Sequence, residues 1–261
     1  LPELPEVEAA SRLLSRAALG KTIATVRAIH PALKRKLPAA RARRAKGKRI
    51  DGIERRGKHQ LLTLDTGDTI VVHFRMNGDW EIGTVDDELH RFARAVIELT
   101  DGTRISLVDS RALSSITLDK EGTSSLPKLG REASDPTLDA EYLLATLKRR
   151  KIAIKPALMD QSVVAGLGNI YAAEALWEAE LDPRSPSPKM SLAKLKKLVD
   201  AIKLVLSPAK RRPGRYTEKR GVSRFAVYDR EGKICRRCGA TIERIVQAGR
   251  STYFCPGCQL G

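Results

Sequence analysis

The chain has 261 residues, with 48 Lys and Arg against 31 Asp and Glu, a net charge of +17 and a sequence pI near 10.0. That excess excludes the near-neutral balance typical of an enzyme for small uncharged metabolites and points to a polyanion as partner. No apolar run reaches membrane-spanning length and no charged-then-apolar leader is visible, so a soluble, unexported protein is expected. In chain order, LPELPEVE reads first as helix-entry chemistry. Pro5 suits a first turn, and Glu6 and Glu8 suit a positive dipole end, ahead of a helix over 6–19 that closes at Gly20. The same residues permit a second reading. If Leu1 is absent from the mature chain, Pro2 is a terminal secondary amine with a reference pKa of roughly 7.7–8.0, an available nucleophile near neutral pH.

Segments 58–64, 69–74, 92–99 and 103–108 are rich in Val, Ile, Leu and Thr. Turn signals at Thr66-Gly67-Asp68 and Asp101-Gly102 bound them, as in an antiparallel sheet or sandwich. From about residue 139 the period changes. Tyr142, Leu143 and Leu147, then Ala172, Ala175 and Leu176, then Leu192, Leu195, Leu198, Val199, Ile202, Val205 and Leu206 recur at helical intervals, with Pro183, Pro186 and Pro188 as a break. Before the second of these helices, Gly166-Leu167-Gly168-Asn169 reads as a turn whose backbone N–H groups suit a phosphate, or as an ordinary flexible turn.

The only cysteines, Cys235, Cys238, Cys255 and Cys258, form two C-x-x-C pairs separated by sixteen residues. This is zinc-ribbon spacing for one structural, coordinatively closed Zn2+, and two disulfides are the competing reading. Between the pairs, 241–246 and 251–254 read as short strands with Arg250 near their turn. Basic residues cluster at Lys34–Arg49, Arg149–Lys151, Lys210–Arg224 and Lys233–Arg237. With so few aromatics, the clusters favour phosphate-backbone contact over base stacking.

LPELPEVE, RRGKHQLL at 55–62, AIKPALMDQSVVAGLGNIYAAEAL at 153–176 and the terminal CRRCGATIERIVQAGRSTYFCPGC resemble formamidopyrimidine-DNA glycosylase from end to end. The resemblance implies an α+β multidomain chain. It would comprise an amino-terminal catalytic β-sandwich with a leading helix (1–125), a helix-two-turns-helix DNA-binding domain (126–226) and a C-terminal zinc ribbon (227–261). It implies a monomer acting in the cytoplasm, at the nucleoid, on double-stranded DNA that carries damaged bases or abasic sites, with no membrane association. The implied activity is excision of oxidised bases through a Schiff base, followed by β,δ-elimination at the abasic site.

By residue, the resemblance implies Pro2 as nucleophile at C1′, Glu3 as acid/base and Glu6 as a cap or water-positioning group. Lys58 would bind phosphate and donate a proton in β-elimination. Arg250 would contact phosphate and assist δ-elimination. Asn169, Lys151, Lys155 and His90 match DNA-contact positions, and Met76 in HFRMNGDW matches a wedge. Arg111 in VDSRALSS aligns with the arginine that fills the space opposite the lesion.

Three departures qualify it. Leu113 stands where an aromatic wedge is usual. The stretch 216–227 is short where the family carries a loop over 8-oxoguanine. Leu1 replaces methionine and, if retained, would make the Pro2 nitrogen a non-nucleophilic amide; a start-codon translation artefact is the expected cause. The endonuclease VIII branch for oxidised pyrimidines shares the Pro-Glu start and the zinc finger and stays open. A non-catalytic zinc-ribbon DNA-binding protein and an RNA-directed ribbon protein remain as alternatives of other classes.

Overall fold

The structure, a computed structural model, describes residues 2–211 and 225–260. Leu1 and most of the 216–227 stretch therefore lie outside the described residues. The chain divides into two compact units, 1–127 and 128–261.

The amino-terminal unit opens with helix α1 (Leu4–Ala18), two residues earlier than the sequence expectation. Glu3 is its extended N-cap and forms a capping box with Glu6, so helix geometry starts at once after Glu3, with Pro5 inside the first turn. Leu4, Val7, Ala10, Ser11, Leu14 and Ala18 recur every three or four residues and form the buried stripe. Each large apolar side chain there contributes roughly 1.5–3 kcal/mol on burial. Gly20 ends the helix at φ +77°, a left-handed conformation that a side chain would strain.

After β1 (Ile23–Ala28) come two single-turn helices, α2 (Pro31–Lys34) and α3 (Ala39–Ala42). The strands that follow are β2 (Ile50–Arg56), β3 (His59–Leu64), β4 (Thr69–His73), β5 (Asp79–Thr84), β6 (Ala93–Leu99), β7 (Thr103–Val108) and β8 (Ser115–Asp119). They build two four-stranded antiparallel sheets, in the orders β1-β6-β7-β5 and β2-β3-β4-β8. Ile23, Ile97, Ile105 and Leu107 of one sheet share a core with Ile50, Leu62, Ile70, Val72 and Ile116 of the other and with the α1 stripe. The sandwich expected from the sequence is present. Strands β1, β2, β5 and β8 join the four read from sequence, and their polar residues had masked them.

The carboxy-terminal unit begins with the two-residue parallel pair β9 (Arg131–Glu132) and β10 (Val164–Ala165). Its helices are α4 (Ala140–Leu147), α5 (Ile154–Met159), α6 (Asn169–Glu178) and α7 (Leu192–Arg211). Asp139 caps α4 by accepting the Tyr142 N–H at 2.7 Å. In α7, Leu195, Leu198, Val199, Ile202 and Leu206 are buried at the expected helical spacing. The unit ends in the hairpin β11 (Glu243–Gln247) and β12 (Arg250–Phe254). Among the described residues no helix is long and apolar enough to cross a membrane.

Candidate catalytic and nucleic-acid-binding residues

In the amino-terminal unit the start of α1 and the β2–β3 turn are tied together. Glu3 is 1 % exposed, and its main-chain N–H donates to the Glu6 carboxylate at 3.0 Å. One turn on, Glu8 accepts from Arg55 Nε of β2 at 2.7 Å, and Arg55 Nη1 donates to the Gly57 carbonyl at 2.9 Å. Partial burial pushes the Glu8 carboxyl up, but the Arg55 and Arg12 guanidiniums more than offset it and leave its pKa below the ordinary value. Lys58 lies in the tight turn and not in the strand expected to begin there. Gly57, at φ +59°, takes the first position of this two-residue loop, which a β-branched residue would strain. Thus Pro2, Glu3 and Lys58 stand at one end of one unit through Glu8 and Arg55, residues the sequence reading did not assign.

Behind Lys58, His59 and His73 face each other across β3 and β4, with ring centroids 4.5 Å apart. His73 Nδ1 accepts the Arg75 N–H at 2.9 Å, which starts the turn carrying half-buried Met76. Gly78 closes that turn, and a Cβ there would lie 2.7 Å from the Phe74 carbonyl oxygen. Asn77 Nδ2 donates to Ser110 Oγ at 3.3 Å and joins this turn to the 109–114 loop.

Asp109 organises that loop. Fully buried, it accepts the N–H groups of Arg111 at 2.9 Å and of Leu113 and Ser114 at 2.7 Å, which leaves Arg111 exposed and Leu113 45 % exposed. Burial raises its carboxyl, yet the backbone donors prevail and its pKa is lowered. The sequence signal was available, since an Asp two residues before an N–H partner is an Asx-type turn. His90 joins the same assembly. Its Nδ1 accepts the Phe92 N–H at 2.9 Å, and Arg94, stacked on Phe92, donates to the Asp109 carbonyl at 2.6 Å.

In the carboxy-terminal unit Asn169 begins α6, and its Nδ2 donates to the Ser251 carbonyl at 3.0 Å. Lys155 is completely buried. Its Nζ donates to Asn169 Oδ1 at 2.5 Å and to Thr252 Oγ1 at 2.9 Å. The residue expected among surface DNA contacts is an internal cation here, and it fixes Asn169 against the hairpin. Arg250, the first residue of β12, follows the left-handed Ala248 and Gly249 and is exposed. Lys151 is exposed in the loop before α5.

Of the N–H groups in the 166–169 turn, read as suiting a phosphate or as an ordinary turn, that of Gly166 is already taken: Gln161 Oε1 accepts it at 2.9 Å, and Gln161 Nε2 donates to the Leu167 carbonyl at 2.8 Å. Glu174, unassigned from sequence, is buried in α6 and accepts the N–H groups of Ala226, Val227 and Tyr228 at 2.7–2.9 Å. It thereby docks the start of the ribbon on the helix.

The four cysteine sulfurs lie within 4.8 Å of one another. Cys235 and Cys258 Sγ are 3.8 Å apart and Cys238 and Cys255 Sγ 3.4 Å, far beyond a disulfide bond. A tetrahedral zinc with Zn–S near 2.3 Å needs sulfurs about 3.8 Å apart, so the thiols fit one structural zinc and the disulfide reading falls.

Sequence models of the formamidopyrimidine-DNA glycosylase N-terminal domain match residues 1–116 and those of its H2TH domain residues 129–220. The zinc finger found in FPG and IleRS matches 232–260. A formamidopyrimidine-DNA glycosylase of Ligilactobacillus salivarius is 37% identical over 273 residues, covering 100% of this chain and 99% of the relative. The chain belongs to the formamidopyrimidine-DNA glycosylase family. Another member, from Mycolicibacterium gilvum, is 37% identical across 99% of this chain and 98% of its own. Among solved members, Lactococcus lactis Fpg in complex with abasic-site DNA superposes with a TM-score of 0.88 at 29% identity, covering 100% of both chains. The same enzyme with N7-benzyl-Fapy-dG DNA gives 0.90 at 30% identity, again covering 100% of both chains.

Proposed function

We propose that the chain is a base-excision repair enzyme, a bifunctional DNA glycosylase and abasic-site lyase for oxidised bases in duplex DNA. The observation that carries this reading is the tie, through Glu8 and Arg55, between the start of α1 that follows Pro2 and Glu3 and the β2–β3 turn that contains Lys58, in a chain similar over its whole length to formamidopyrimidine-DNA glycosylases. With Pro2 as the mature amino terminus, its nitrogen attacks C1′, the N-glycosidic bond breaks, and the base leaves with the bonding electrons and takes up a proton. The Pro2 nitrogen loses its proton, the C1′–O4′ bond breaks as O4′ takes up a proton, and the ring-opened iminium that results acidifies C2′; proton loss there expels the 3′ phosphate, and proton loss at C4′ then expels the 5′ phosphate.

Glu3, buried at the start of α1, is the acid/base group beside the developing cation. Glu6 holds the Glu3 main chain. Lys58 binds phosphate and donates a proton in β-elimination, Arg250 contacts phosphate and assists δ-elimination, and Asn169, Lys151 and His90 contact backbone. Met76, Arg111 and Leu113 fill the space that base extrusion opens, with Leu113 as an apolar wedge. Lys155 acts on DNA through Asn169. Functionally the chain divides into a catalytic sandwich (1–125), a helical DNA-binding segment (126–226) and a zinc ribbon (227–261), and it works as a monomer at the nucleoid.

Formamidopyrimidines and 8-oxoguanine are the favoured substrates, because the similar relatives are formamidopyrimidine-DNA glycosylases. Borohydride reduction on a duplex with a single 8-oxoguanine tests the mechanism: wild type forms a covalent adduct and Pro2→Gly forms at least about 100-fold less. No wild-type adduct, or an undiminished one with the variant, rejects the Pro2 mechanism. Intact-mass measurement shows whether Leu1 is retained, and thymine glycol in the same assay tests the endonuclease VIII preference.

A further inference from the structure

The first zinc knuckle, Cys235-Arg236-Arg237-Cys238, is clasped from outside the ribbon. Within the knuckle the Cys235 N–H donates to the Ala240 carbonyl at 2.7 Å, and the Cys235 carbonyl accepts the Gly239 N–H at 3.1 Å. The Arg237 main-chain N–H points at Cys235 Sγ at 3.5 Å, a donor that belongs to the turn itself. The Arg237 side chain reaches back to α6. Its guanidinium lies over the Trp177 ring, 3.9 Å from the centroid, and donates to the Trp177 carbonyl at 3.0 Å and to the carboxylates of Glu178 and Glu180 at 3.4 Å. That carbonyl lies in the last turn of α6, a negative dipole end that a cation suits.

Trp177 is thereby fixed between this cation and the ribbon. Its side chain packs against the cluster of Ala173, Val227, Cys235, Ile242 and Cys255. Its indole N–H is shut off from solvent and completes no ordinary hydrogen bond among the described residues. The acceptor it bears on is the buried Cys235 sulfur. A neutral thiol accepts weakly, whereas a thiolate carries a full charge and accepts strongly. A buried donor without a full acceptor costs stability, so this N–H favours the anion that a metal requires. The guanidinium adds to the effect, because a cation over one face of the indole draws its π density and leaves the N–H a stronger donor.

We propose that Trp177 is a positioning residue of the zinc centre: its indole N–H donates to the Cys235 thiolate, retains the metal and locks the ribbon to the last turn of α6. The proposal rests on the zinc assignment and is independent of which lesion the chain takes. Asn169 opens the same helix and donates to the Ser251 carbonyl at 3.0 Å. Thus α6 grips the ribbon near both of its ends, and the setting of Arg250 depends on both. An aromatic spacer would need only the ring. The difference lies in one atom, Nε1.

The test uses the full-length, zinc-loaded chain, its metal content verified, and two variants. Trp177→Phe keeps a ring under Arg237 and removes the N–H. Replacement of Trp177 by β-(3-benzothienyl)alanine keeps the shape of the indole and puts sulfur in place of the N–H. Zinc transfer to excess chelator is at least about tenfold faster in both, as for loss of a hydrogen bond to a metal ligand. With Co2+ as the probe metal, the sulfur-to-cobalt charge-transfer band of both moves to lower energy than in wild type, because a sulfur that has lost an N–H donor gives up electrons more readily. An unmoved band, or release from the benzothienyl variant as slow as from wild type, overturns the proposal. Faster release in Trp177→Phe alone overturns it in favour of packing. A wild type that takes up no zinc rejects the zinc assignment and the proposal with it, whereas borohydride trapping reads the repair function separately.

Discussion

At the scale of single residues, His73 shows how position changes chemistry. Burial first, then the neighbouring His59, Arg75 and Lys58, depress its pKa from 6.5 to about 3, so it stays neutral beside a lysine proposed to bind phosphate. The unfolded chain takes up this proton near 6.5 and the native state only near 3. Above that window the group contributes nothing to the pH dependence; as pH falls through it, native stability is lost, by at most about 1.4 kcal/mol per pH unit. Urea denaturation of wild type and His73→Gln should therefore differ by a constant above pH 7, with wild type losing more stability below pH 6. Parallel curves down to pH 4 would show an ordinary imidazole. Of this only Arg75 was legible in HFRMNGDW, because the burial comes with the fold and only the pairing of β3 with β4 brings His59 and Lys58 near. The partners of Glu8, read only as a helix-dipole residue, and of Glu174 were hidden for the same reason: Arg55 and Ala226 are 47 and 52 residues away.

At the scale of elements, the zinc ribbon is the part of the chain most fully written in its sequence. Two C-x-x-C pairs impose two knuckles, and the intervening residues have little choice but a short hairpin. The observed strands, Glu243–Gln247 and Arg250–Phe254, differ from expectation by one or two residues. Only the folded structure reveals how the ribbon is held on α6, by Lys155 on one side and Glu174 on the other. Metal removal should therefore have two separable effects. Chelation should unfold residues 235–258, seen as loss of amide protection there, and reduce strand cleavage by removing Arg250 from its hairpin, while α1 and both sandwich sheets keep their protection. Full cleavage after verified loss of zinc would refute the assignment of Arg250. The amino-terminal helix was equally readable as an element, but its start was not. Glu3 is polar, buried and in a cap, a combination that local propensity does not separate from a residue outside the helix.

At the scale of the whole molecule, a net charge of +17 makes DNA affinity a property of the chain and not only of its contact residues. Binding of a lesion duplex should weaken steeply with salt, and neutralising one phosphate contact such as Lys151→Ala should lower the log–log slope by about 1 while leaving preference among lesions unchanged. A variant that altered lesion preference without altering the slope would place Lys151 at the base and not at the backbone.

The sequence by itself determined the partner class, the metal and the order of β-rich, helical and ribbon segments. Charge, cysteine spacing and hydrophobic period are local or additive properties that survive without a fold. The end-to-end similarity to formamidopyrimidine-DNA glycosylases was legible for a related reason: its motifs are contiguous strings. The tertiary structure alone decided that Lys155 is an internal brace, that Gly166 keeps its N–H for Gln161, and that Asp109 shapes the loop presenting Arg111 and Leu113. Each depends on which buried polar group finds which partner. Desolvation makes such pairing obligatory, but only the complete fold selects the partners.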